Sequence, residues 1–90
     1  MTTGLNIDIE RIVRATVQKY LGTSAPLPVG SRLSEDLGID SLAFVTILME
    51  LADQLRLDLT AVEINLKEID TLQDIVELVM ALVAAKTARQ

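Results

Sequence analysis

The chain has no cysteine, no histidine and no tryptophan. The first absence excludes disulfides, thiolate ligands and thiol nucleophiles, and leaves the redox compartment unreadable from cysteine usage. The second removes the usual general base and the commonest metal ligand. Proline occurs only at Pro26 and Pro28, which together with Gly30 block regular structure in one stretch. Long apolar runs are missing as well: charges interrupt each of them, so none is expected to span a bilayer. The opening residues Met1–Asn6 lack a basic start followed by an apolar block. No targeting segment is therefore expected, and cytoplasmic residence is the default.

Basic side chains are scarce in the middle of the chain. Between residues 35 and 77, eleven carboxylates face only Arg56 and Lys67, a local balance of −9 within a net charge of −5. Nucleic acid and anionic membranes repel such a surface, so neither is expected as a partner, whereas basic protein surfaces suit it. The same charge also serves simply to keep a small apolar domain soluble. Half of the 90 residues are hydrophobic, enough for the core of one domain, 1–90, expected to be monomeric.

The hydrophobic spacing predicts helices. Ile9, Ile12, Val13, Val17, Tyr20 and Leu21 fit one helical face over about Asp8–Leu21, with Asn6 or Asp8 as cap and Gly22 as terminator. Residues 22–40 form a connection of a length that is usually either functional or disordered. Leu27, Val29, Leu33, Leu37 and Ile39 argue for order, as anchors to a bundle, with a single helical turn at Leu33–Leu37. A second helix is expected over Ser41–Leu55. Its apolar residues, Leu42 and Met49 among them, cover more than half the circumference, as in a central helix touched by several neighbours. Thr46, Glu50, Asp53 and Gln54 form its polar stripe. The Thr60/Glu63 spacing predicts a short third helix over Thr60–Asn65. A fourth helix opens after Thr71, with Asp74 in the same reciprocal position, and carries Leu72, Ile75, Val76, Val79, Leu82 and Val83. Residues 1–6 and 87–90 are expected to fray. The fold expected is all-α: a small four-helix bundle with a long first loop and a short third helix.

The stretch Asp36-Leu37-Gly38-Ile39-Asp40-Ser41-Leu42 organises the rest. Gly38 suits a tight turn. Asp40 is placed to cap the second helix by accepting from first-turn amides. Ser41 then takes the first helical position, where amides and dipole favour a phosphate, bound or covalently attached.

Catalysis finds little support. Ser41 has no histidine to activate it, and Lys19, Lys67 and Lys86 lie far away in sequence, so no activated Ser–Lys pair is expected. No element marks a pocket, and the chain is not expected to be an enzyme. Glu35, Asp36 and Asp40 do not follow the spacing of a calcium loop and read as a solvated acidic rim, so no metal site is expected.

Leu37-Gly38-Ile39-Asp40-Ser41-Leu42, the apolar helix directly after it, and Thr71-Leu72-Gln73-Asp74-Ile75 at the start of the last helix together resemble the acyl carrier protein family. Length, acidity, helix order and the long first loop agree across nearly the whole chain. The resemblance implies a 4′-phosphopantetheine arm on Ser41, joined through a phosphodiester by a transferase that uses coenzyme A. The arm's thiol would hold an acyl or aminoacyl group as a thioester for partner enzymes. Those partners would be the phosphopantetheinyl transferase, a loading ligase or acyltransferase, and downstream synthase enzymes of fatty-acid-like, polyketide or other specialised biosynthesis. By the same resemblance Asp40 helps position metal and coenzyme A in the transferase complex, and Leu42 is an apolar partner contact or core. One departure concerns the turns after Ser41, which carry no carboxylate before Glu50; that places the usual fatty-acid synthase partners in doubt. Phe44 is either a docking contact or core. The alternative is an acidic helical adaptor, never modified, that binds through the second helix.

Overall fold

The computed structural model describes the backbone of residues 2–88 and the side chains of residues 8–88. Three α-helices, α1 (Thr2–Leu21), α2 (Ser41–Leu55) and α3 (Leu72–Ala88), form the body of the protein, and a 3₁₀ turn, Leu66–Glu68, precedes α3. The described residues include no strand, only one isolated antiparallel bridge between Arg32 and Thr71. The all-helical expectation holds, with three α-helices instead of four.

The missing helix has a local cause. Asp58 accepts at Oδ1 from both the amide and the hydroxyl of Thr60, at 2.9 and 2.6 Å. A side-chain turn of this kind competes with helix formation. Thr60 therefore does not act as the expected cap, and Thr60–Asn65 is turn and coil. Leu57, Leu59, Val62 and Ile64 are half-buried against the core from this irregular segment. The 3₁₀ turn comes later: the Glu68 amide donates to the Asn65 carbonyl at 3.0 Å, and Asn65 Oδ1 caps the turn by accepting from the Lys67 amide at 3.1 Å.

α1 begins at Thr2, well before the Asp8 expected, and α3 runs through Ala88. Helix thus takes in positions 2–6 and 87–88, where fraying was expected. The Asn6 side chain, offered as a cap, lies outside the described residues. On α1, Ile9, Val13 and Val17 are buried, but Tyr20 is exposed. α1 packs on both α2 and α3, so it holds the central position expected of α2. The wide apolar surface of α2 is met by α1 and by irregular segments: Leu33 and Ile39 belong to the same core as Phe44, Ile47, Leu48 and Leu51. Leu42 and Met49 escape that cover and stand 77% and 60% exposed.

The ends of α2 and α3 are capped differently. α2 stops at Arg56, which takes the left-handed conformation with φ 55°. Its last carbonyl, on Leu55, accepts from Lys86 Nζ at 2.9 Å. At the head of α3 the expected reciprocal cap is present. Thr71 Oγ1 accepts from the Asp74 amide, and Asp74 Oδ2 accepts from the amides of Asp70 and Thr71 at 2.8 and 3.0 Å. The Asp70 amide holds the Asp74 carboxyl below its ordinary pKa of 3.8, against partial burial that pushes it up, with Thr71 adding to the depression.

Two predictions follow from this packing. Truncation of Leu51 or Leu82 to Ala is expected to cost about 2–5 kcal/mol of unfolding free energy, and truncation of Leu42 or Met49 less than about 0.5 kcal/mol, in urea titrations. Asp74→Ala is expected to cost ~1 kcal/mol at neutral pH. Because the folded-state pKa is depressed, the carboxylate's contribution is complete above the ordinary 3.8 and disappears as pH falls through the folded value. Urea midpoints of wild type and variant are therefore expected to converge in acid. A gap of constant size from neutral pH to strong acid would contradict this.

Candidate functional site

The head of α2 is built by the turn before it. Gly38 takes φ 68°, the left-handed region that glycine enters at no cost. The Ile39 amide then donates to the Leu33 carbonyl at 2.7 Å, folding the turn back on itself, and the Ile39 side chain is buried. This brings Asp40 out of the turn in an extended conformation at the cap position. Its Oδ1 accepts from the Ala43 amide at 2.8 Å, and its carbonyl accepts from the Phe44 amide at 2.8 Å. Ser41 follows as the first helical residue, and its side chain is exposed.

The two parallel features of the fold, the starts of α2 and α3, differ in one respect. At α3 the long loop consumes the amides: Leu72 donates to the Ser31 carbonyl at 2.9 Å and Gln73 to the Val29 carbonyl at 2.8 Å. At α2 the amides of Ser41 and Leu42 meet no acceptor among the described residues. Two open N–H groups, the positive end of the helix dipole and an exposed hydroxyl form a donor set suited to a phosphate.

A cavity of about 240 Å³ opens beside Ser41, where the sequence marked no pocket. The long loop contributes Leu33, Ser34 and Ile39, the head of α2 contributes Asp40, Ser41 and Phe44, and the approach to α3 contributes Leu66, Ile69 and Asp70. Of these walls, the sequence singled out only Asp40, Ser41 and Phe44 as site candidates. Ser34, Leu66, Ile69 and Asp70 carry no local signal. They arrive through the bridge between Arg32 and Thr71 and the hydrogen bond from the Leu33 amide to the Asp70 carbonyl at 2.7 Å.

The remaining candidates separate by burial. Phe44 is 4% exposed and belongs to the core, which removes it as a docking contact. Leu42 points to solvent. The three carboxylates considered for a metal each have a partner in the chain: Glu35 pairs with Arg32, Asp36 accepts from the Arg32 amide, and Asp40 caps α2. No group of acidic side chains suited to a metal ion occurs among the described residues. Lys19 is engaged with Glu50 at 3.3 Å and Lys86 with the Leu55 carbonyl, so neither attends Ser41. None of the described helices is long and apolar enough to cross a membrane.

Comparison with known proteins bears on this arrangement. No curated protein matches the chain. A family model described as the phosphopantetheine attachment site matches residues 11–79, a span that takes in the long loop, all of α2 and the first half of α3. That family carries 4′-phosphopantetheine covalently on a serine, and the match covers most of the chain: this protein is a member of the phosphopantetheine attachment family, the family of the acyl carrier proteins.

Proposed function

We propose that Ser41 carries the 4′-phosphopantetheine arm and that the protein is a carrier of acyl or aminoacyl groups that catalyses no reaction of its own. All four serines, Ser24, Ser31, Ser34 and Ser41, fall within the matched span. Only Ser41 joins an exposed hydroxyl to the start of an α-helix with two unpartnered amides. That combination is the observation on which the reading rests. Ser31 is half-buried with its carbonyl committed to α3, and Ser24 and Ser34 lie in loop and turn. When bound, the arm supplies the thiol that the cysteine-free chain lacks, and so a thioester for cargo.

The chain's own residues have separate tasks in this reading. The Ser41 and Leu42 amides hold the phosphate against the helix dipole. Asp40 fixes the turn through Oδ1 and leaves Oδ2 open toward the transferase's metal and coenzyme A. Leu42, 77% exposed beside Ser41, is the apolar contact for partners. Those partners are a phosphopantetheinyl transferase, a loading ligase or acyltransferase, and downstream synthase enzymes, met in the cytoplasm. α2 has no carboxylate before Glu50, and Lys19 already engages that one. This favours polyketide or other specialised pathways over the standard fatty-acid synthase set. The competing reading is an unmodified adaptor that binds through Leu42 and Met49.

Incubation with coenzyme A and a broad-specificity phosphopantetheinyl transferase, followed by intact mass, separates the two. Wild type is expected to gain one phosphopantetheine and Ser41→Ala none. A wild type that stays unmodified, or a variant that gains the same mass, removes Ser41 from its role. Association with the transferase is also expected to slow by about tenfold or more from low to ~1 M salt, because the acidic middle steers encounter. A rate constant indifferent to salt would contradict that steering.

A further inference from the structure

Arg32 is the only basic residue between Lys19 and Arg56, and its guanidinium faces Asp70, a residue of the Ser41 cavity wall. Its Nη1 lies 2.8 Å from Glu35 Oε2, a full charge-assisted hydrogen bond. Its Nε lies 3.6 Å from Asp70 Oδ2, beyond hydrogen-bond length. Asp70 is itself a wall of the cavity that holds Ser41. The guanidinium side chain is 52% exposed, so it is not locked by packing. Three carboxylates meet Arg32: Glu35 and Asp70 face its guanidinium, and Asp36 accepts from its backbone amide. Its guanidinium is the cation that this acidic rim meets.

A phosphodiester on Ser41 adds one more negative charge to that rim. A guanidinium binds phosphate through parallel N–H donors and gains more from it than from a distant carboxylate contact. We propose that Arg32 is the counter-charge of the arm's phosphate: in the modified protein its guanidinium exchanges the loose contact with Asp70 for phosphate oxygens, while Glu35 keeps it anchored. Arg32 is then a positioning residue for the arm as well as a tie between the long loop and α3. The proposal rests on Ser41 being the modified serine.

The test compares unmodified and modified forms of wild type, Arg32→Gln, Arg32→Lys and Asp70→Asn, with modification verified by intact mass. In wild type the Arg32 Nε–H resonance is expected to move on modification, and in Asp70→Asn it moves as well. Arg32→Gln is expected to lower Tm further in the modified form than in the unmodified form, by about 3 °C at low salt. Arg32→Lys recovers part of that difference, and ~1 M salt abolishes it. Equal Tm losses in both forms of Arg32→Gln would reduce Arg32 to a structural tie and overturn the proposal. An Arg32 resonance that stays still while the Leu42 and Ala43 amides move would overturn it in the wild-type protein alone, whether or not Arg32→Gln folds. A wild type that gains no mass overturns the Ser41 assignment and this proposal with it, whereas a modified protein with an unmoved Arg32 overturns only the proposal.

Discussion

Backbone pairing between the long loop and the head of α3 is the constraint on which the site depends. Three hydrogen bonds of 2.7 to 2.9 Å, from the Leu33, Leu72 and Gln73 amides, join residues 29–33 to residues 70–73. They convert a connection of nearly twenty residues into a fixed wall. They also bring Leu33 close enough for its carbonyl to take the Ile39 amide, which aims the turn into α2. Without that pairing, Asp40 and Ser41 would sit at the end of a loose tether. The cavity beside them would lose one of its three sides.

The same pairing creates the difference between two helix starts. α3 has its amides consumed by loop carbonyls and by its Thr71/Asp74 cap. α2 receives only the Asp40 cap and keeps two amides open. The energies involved are unequal: a buried Leu or Ile contributes ~1.5–3 kcal/mol, whereas a charge at a helix end contributes ~0.3–1 kcal/mol. Burial of Ile47, Leu51, Ile75, Val79 and their neighbours therefore holds the fold. The open amides shape a site at little cost to it.

Charged and apolar side chains share the exposed surface of α2. Eleven of the thirteen carboxylates lie in residues 35–77, and within that span α2 exposes Leu42 and Met49 beside Glu50 and Asp53. Arg32 lies just before this acidic stretch, tied to Glu35 on one side and facing Asp70 on the other.

Much of this was legible in the residues themselves. Helical periodicity located α2 and the start of α3. The Thr71/Asp74 spacing marked a true cap, and Gly38-Ile39-Asp40-Ser41 marked a turn, a cap and a first helical serine. These features depend on neighbours within four positions, where backbone geometry alone decides which groups meet. The identical spacing at Thr60/Glu63 misled, because Asp58 two residues upstream captured the Thr60 donors. Burial was decided elsewhere. Whether Leu42, Phe44 or Met49 lies in the core depends on which side of α2 the loop and α1 cover, and periodicity does not encode that. The cavity, the Arg32–Asp70 approach and the capping of α3 by Val29 and Ser31 join segments some forty residues apart. Only the tertiary structure sets such contacts, since their partners are chosen by the closure of the loop on α3 and not by any local pattern.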